Sequence, residues 1–167
     1  MKPLRPAGLL LIGLALAGLP VIGGCNKGTP AAAPPAAAAA EAVDPEHGHL
    51  LHAQPRLPTI KVLLGDPAAR LQELTAEVAS QQVEIATGMM FRTNMLDTEA
   101  MLFVFPYPDR RNFYMRNCVV PLSPPYISPD GEILQIIDLK PHDERGVPSR
   151  SANVQFVLEV AQGWFTR

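Results

Sequence analysis

The chain has 167 residues, 47% of them hydrophobic, with 14 Lys and Arg against 16 Asp and Glu and a formal net charge of −2. That mild acidic balance excludes a nucleic-acid-binding body and a polybasic membrane surface. Two cysteines are too few for a disulfide scaffold, so stability has to come from packing.

At the N-terminus, Lys2 and Arg5 precede an apolar segment from Leu9 to Ile22, which ends in Ile22-Gly23-Gly24-Cys25. A charged head, a hydrophobic middle and small residues before the cut form a secretory signal, too short to span a bilayer comfortably. The two glycines let a signal peptidase approach the backbone, and the Cys25 thiol is placed to take a diacylglycerol. Residues 1–24 are therefore expected to be a lipoprotein signal peptide. Cys25 would begin an exported, membrane-anchored protein facing the periplasm or the cell exterior. Asn26 is not the aspartate associated with inner-membrane retention, which favours the outer membrane. Loss of residues 1–24 removes Lys2 and Arg5 and leaves a formal charge of −4. With Cys25 acylated, Cys118 has no disulfide partner.

Residues 30–42 read PAAAPPAAAAAEA, 12 of 13 positions being alanine or proline. The prolines break any alanine helix and nothing here builds a core, so residues 25–56 are expected to be a lipid-anchored tether. Its reach is about 30 Å as a coil and about 95 Å fully extended. It holds His47, His49 and His52, a spacing that offers imidazoles to Zn²⁺, Cu²⁺ or Ni²⁺. A flexible polar linker lacks the fixed ligands of a structural metal site, so these histidines are read as solvated and no metal is assigned.

Residues 57–167 are expected to form one compact domain. Thr59–Leu64 reads as a strand closed by Gly65-Asp66-Pro67, and Leu74–Val78 as a second. Ser80 suits a helix N-cap, with a short helix over Gln81–Thr87 stopped by Gly88. Met101–Phe105 reads as a buried strand bounded by Pro106, and Phe113–Val120 as another. Ser128-Pro129-Asp130-Gly131 has the residue order of a type I turn. It leads into Glu132–Leu139, and Val154–Val160 is the last strand. These elements imply a mainly β domain, a small antiparallel barrel or rolled sheet with one short helix.

The segments ATGMMFRTNMLDTEAMLFVFPYP, NFYMRNCVVPL, SPDGEI and VLEVAQGW together resemble the family called domain of unknown function 192, over about residues 73–165. The resemblance places family motifs on Gly88–Arg92, Ala100–Phe103, Tyr114–Asn117, Pro121-Leu122, Leu158-Glu159 and Gly163-Trp164. It implies a compact β-rich domain behind a leader and linker, and it implies no activity. Departures are Ser123-Pro124-Pro125 where the family usually has an aspartate and an apolar strand, Cys118 where threonine is usual, and an end at Arg167 where relatives add a short strand. Two prolines are expected to keep residues 123–125 out of a regular central strand.

Three classes of function remain. A hydrolase-like enzyme would use Cys118 with His142 and Asp143, or a carboxylate pair from Glu99, Glu132, Asp138 and Glu159. Cys118 sits in an apolar run without a glycine-rich elbow, which suits an inert thiol, so no catalytic residue is assigned. A recognition domain would use Arg92, Arg110, Arg111 and Arg116 with Tyr107, Tyr114 and Trp164, or those arginines would simply pin the sheet through carboxylates such as Glu159. A scaffold of the cell envelope is the third. Met89, Met90, Met95, Met101 and Met115 read as core, not as soft-metal ligands. The reading favours non-enzymatic recognition of a small ligand or envelope partner, with Arg92, Arg116, Asn117 and Glu159 lining or bracing the site. It assigns no cofactor and no nucleic-acid partner, and membrane contact only through Cys25.

Overall fold

The computed structural model describes residues 42–66 and 70–166. The segment expected to be a signal peptide, Cys25 and the Ala/Pro tract up to residue 41 lie outside the described residues.

Eight strands run in chain order: β1 (Thr59–Asp66), β2 (Arg70–Ala79), β3 (Glu99–Asp109), β4 (Asn112–Phe113), β5 (Pro125–Ile127), β6 (Ile133–Ile136), β7 (Val147–Pro148) and β8 (Val154–Glu159). One short helix, α1 (Gln82–Thr87), follows β2, and a 3-10 turn spans Trp164–Thr166. Six strands form a sheet in the order β1-β2-β3-β8-β5-β6 that curls into a half-barrel, and β4 pairs with β7 beside it. Every described pair is antiparallel except β2 with β3. A parallel pair needs a crossover, and residues 80–98, with α1, supply it.

The sheet is apolar on both faces. Along β3, Met101, Phe103 and Phe105 join one buried cluster, while Ala100 and Leu102 join the other. Period-two alternation sends Val157 of β8 to the first cluster and Leu158 to the second. Burying a residue such as Met101 or Phe103 contributes about 1.5–3 kcal/mol.

Several expectations change. Helix α1 is capped by Gln81 rather than Ser80: the Glu84 carboxylate accepts from the Ser80 and Gln81 amides at 2.9 and 2.8 Å. β3 does not stop at Pro106 but continues to Asp109, with its register to β8 shifted beyond Val104. Of the strand expected over Phe113–Val120 only Phe113 is extended, in β4. Asn117 takes φ 53° and the Cys118 amide donates to the Met115 carbonyl at 3.2 Å, so the chain turns there. The Pro-Pro pair does not exclude a central strand: β5 begins at Pro125, between β8 and β6, but is only three residues long. The SPDG turn closes as read, the Gly131 amide donating to the Ser128 carbonyl at 3.1 Å and joining β5 to β6.

Residues 42–56, assigned above to the tether, lie against the domain. His49, Leu50 and Gln54 are buried. The Leu50 amide donates to Thr87 Oγ1 at 2.9 Å, and Gln54 Nε2 donates to the Gly88 carbonyl at 2.8 Å. This strap satisfies polar groups at the end of α1 that would otherwise be buried without partners.

Candidate functional site

One cross-strand row organises the chemistry. Glu77 of β2 pairs in register with Met101 of β3, and Met101 with Glu159 of β8. Both carboxylates are buried, at 6% and 4% exposure. Their surroundings differ.

Glu77 is fully partnered. Its Oε1 accepts from Arg92 Nη1 at 2.6 Å and Arg56 Nη1 at 2.7 Å, and its Oε2 from Arg92 Nη2 and the Leu57 amide at 2.9 and 2.8 Å. Burial alone would raise its carboxyl, but Arg92, the Leu57 amide and Arg56 together hold it below the usual range.

Glu159 instead faces a cavity of about 320 Å³ between the end of α1, β3 and the β3–β4 region. The walls are apolar and soft: Met89, Met90, Phe103, Phe105, Phe113 and the Cys118 thiol. Glu159 Oε2 has no hydrogen-bond partner. Burial pushes the carboxyl up to about 8, a rise that the charge of Arg92 offsets only in part. At neutral pH the carboxyl is therefore largely protonated and presents an O–H donor inside an apolar wall. It is the one carboxylate among the described lining residues.

Gly88 sets the close approach. Its φ is +48°, and a Cβ there would meet Phe103 Cζ at 3.1 Å and Glu159 Oε2 at 3.8 Å. At the rim, Arg110 Nη1 donates to the Ser149 and Arg150 carbonyls, and Arg111 donates to the Val154 and Tyr107 carbonyls. The Arg111 guanidinium also stacks 3.9 Å from the Phe105 ring centroid. Backbone carbonyls orient these two cations without neutralising them, so the mouth favours an anionic group.

Among the described residues, the candidates for a nucleophile or a carboxylate pair do not converge. The His142 amide donates to the Cys118 carbonyl at 3.2 Å, but His142 is exposed while Cys118 is buried. Burial, with the Glu159 charge adding to it, pushes the Cys118 thiol far up, the reverse of what a nucleophile needs. The other candidate carboxylates lie elsewhere: Glu99 accepts from the Leu96 amide, Asp138 accepts from Ser123 Oγ, and Glu132 is exposed.

A profile of the family DUF192, described as "Uncharacterized ACR", matches residues 65–167. This chain belongs to that family. A crystallised protein from Sinorhizobium meliloti 1021, described as a candidate transcription regulator, is 30% identical, with 68% of this chain and 88% of that one covered at a TM-score of 0.65. A crystallised protein of unknown function from Novosphingobium aromaticivorans DSM 12444 is 32% identical, covering 78% of this chain and 86% of that one at 0.63. No curated protein matches.

DUF192 motif positions converge on the cavity: Gly88, Met89, Met90, Phe103, Tyr114 and Glu159 all line it. Of the four residues singled out from the sequence, Glu159 alone does so. Arg92 lies behind the row, locked onto Glu77. Arg116 binds Glu144 through Nε and Nη2 at 3.0 and 2.7 Å, away from the cavity. Asn117 serves the backbone: at positive φ, its carbonyl accepts from the Phe91 amide at 2.8 Å. Arg110, Arg111 and Tyr114, considered for recognition, do line the mouth. Tyr107 is exposed, and Trp164 is core, its Nε1 donating to the Asp97 carbonyl at 3.1 Å. Ser123, the family's usual aspartate position, is buried against Asp138 and does not line the cavity.

Proposed function

We propose that this DUF192 protein is a non-enzymatic recognition domain, carried at the cell envelope on a lipidated Cys25, that binds a small amphipathic ligand in the Glu159 cavity. The observation that carries this reading is the unpartnered Oε2 of a buried, largely protonated carboxyl facing an apolar cavity. Structural carboxylates are normally satisfied, and an unsatisfied one costs stability unless a ligand uses it. The ligand would have an apolar body against the methionine and phenylalanine walls. A hydrogen-bond acceptor would reach Glu159, and an anionic end would meet Arg110 and Arg111. The label of the Sinorhizobium protein raises DNA as a partner, but a chain of formal charge −2 with its buried arginine already paired gives that reading little electrostatic support.

A thermal-shift screen of the purified protein against fatty acids, aromatic acids, nucleotides, sugars and cell-wall fragments tests the cavity. A saturable rise in Tm that falls off as the pH passes 8, that Glu159→Leu weakens by removing the donor, and that loses its pH dependence in Glu159→Gln, supports it. A flat response across the panel, or a rise indifferent to Glu159→Leu, refutes it. The anchor is tested separately: Cys25→Ser should move the protein from the membrane fraction to the soluble one.

A further inference from the structure

The strap contains a second site that the cavity does not use. Asp44-Pro45-Glu46-His47-Gly48-His49 forms a tight hairpin: the Asp44 amide donates to the His49 carbonyl at 2.7 Å, and Val43 bridges Leu50. Asp44 Oδ1 is spent on the turn, accepting the Glu46 and His47 amides at 2.8 Å each. Asp44 Oδ2 faces His49 Nε2 at 3.7 Å, beyond hydrogen-bond reach.

The state of that imidazole follows from its other nitrogen. His49 Nδ1 lies 2.7 Å from the Leu50 carbonyl, which can only accept, so Nδ1 carries a proton and Nε2 is the nitrogen left for a further partner. A histidine only 2% exposed thus aims an unpartnered ring nitrogen at a carboxylate oxygen. A positive charge between these two atoms, a proton on Nε2 or a metal ion, satisfies both. An Nδ1–H bond to a backbone carbonyl is also how metal-bound histidines are commonly oriented. On the solvent side, His47 stacks over His49 with centroids 6.1 Å apart. One donor atom from each of Asp44, His47 and His49 lies within 4.8 Å of the others.

We infer that Asp44, His47 and His49 bind a divalent transition-metal ion of the Zn²⁺ class. Zinc–nitrogen and zinc–oxygen bonds of about 2.0–2.2 Å put neighbouring ligands roughly 3.3 Å apart, so the Asp44–His49 pair needs to close by only a few tenths of an ångström. Two imidazoles with a carboxylate suit zinc, cobalt, nickel or copper better than calcium or magnesium, which prefer all-oxygen shells. Three protein ligands on a partly exposed hairpin leave a coordination position open to solvent. The charge of Arg116 acts on Asp44 from outside and moderates the affinity, although Glu144 engages it. Because Leu50 ties the hairpin to Thr87 of α1, a bound ion would pin the strap where it buttresses the cavity wall.

The test is calorimetric titration of the full chain with Zn²⁺ alone, alongside Co²⁺ absorption and long-range ¹H–¹⁵N spectra of the imidazoles. Expected are one ion per chain, a visible d–d band with Co²⁺, and a metal-shifted His49 Nε2. Asp44→Asn keeps the amide-accepting oxygen of the turn while removing the charge, and His49→Gln removes the ligand. Each should weaken binding at least about tenfold, and His52→Ala, in an exposed residue outside the cluster, should leave it unchanged. The inference is overturned by the absence of saturable binding, by binding that survives both substitutions, by equal loss on His52→Ala, or by a His49 Nε2 that carries a proton throughout the titration. Asp44→Asn decides the question even where His49→Gln fails to fold.

Discussion

Glu77 and Glu159 occupy equivalent places in one row of the sheet, each beside Met101, yet only one of them is neutralised. Glu77 has two arginines and a backbone amide; Glu159 has the distant charge of Arg92 and an open cavity. Equal burial therefore gives opposite titration, one carboxyl held down and the other pushed to about 8. The contrast separates a carboxylate that braces the fold from one that the fold carries at a cost.

The largest expected effect breaks the braced side. Glu77→Ala strands Arg92, whose side chain is only 8% exposed, without a counter-charge, and should destabilise the protein by about 3–5 kcal/mol in urea unfolding. Replacing the pair together, Glu77→Leu with Arg92→Met, should cost less than the single change, because it leaves no buried charge unpaired. A double variant worse than Glu77→Ala would show that the pair contributes net stability.

The other side is sharpened by pH. Glu159 has its carboxyl raised from 4.5 to about 8, so between those values the folded state holds a proton that the unfolded state has released. Stability must then fall as pH rises from about 5 to 8, by on the order of 3 kcal/mol. Glu77 has the opposite sign: its contribution is present above 4.5 and is lost as the pH falls through its lowered folded value. The protein should be most stable near pH 5. Glu159→Gln should flatten the alkaline limb and leave the acid limb intact; an unchanged alkaline limb would mean that Glu159 is not the group responsible.

Between these regions lies Gly88. Its φ of +48° strains any L side chain, and a Cβ there would sit 3.1 Å from Phe103 Cζ, so the ring must give by a few tenths of an ångström. Gly88→Ala should cost about 1–3 kcal/mol and weaken any ligand that uses Glu159. A neutral effect on both would mean that the α1 end shifts freely.

Much of this arrangement could be read from the residues alone. β1, β2, β6 and β8 follow apolar runs or alternation, and the SPDG turn is local chemistry, so their signals survive without the fold. Glu159 stood out because Leu158 and Val160 flank it. What lay hidden depends on contacts distant in sequence. The strap over residues 42–56 follows an Ala/Pro tract and has no periodicity; Leu50 and Gln54 find their partners in Thr87 and Gly88, more than thirty residues on. The cavity likewise draws on α1, β3, the β3–β4 region and β8, which the β3–β8 pairing and the crossover from β2 to β3 bring together from distant parts of the sequence. Arg92 and Arg116 sat at motif edges and looked alike, because nothing in the sequence tells which carboxylate each will meet.

That last ambiguity yields the smallest effect. Arg116 holds Glu144 at 2.7 Å and rests 5.8 Å from the Tyr114 ring centroid, on the surface. Water and salt screen such a pair, and ordering two long side chains offsets much of its attraction. Arg116→Ala should leave the unfolding midpoint within error and leave cavity binding intact, because the guanidinium does not line the Glu159 cavity. The one property it should change is metal affinity at Asp44, which ought to rise once the neighbouring positive charge is gone. An Arg116→Ala variant that loses ligand in the thermal-shift screen would move the recognition surface to the Glu144 side and away from Glu159.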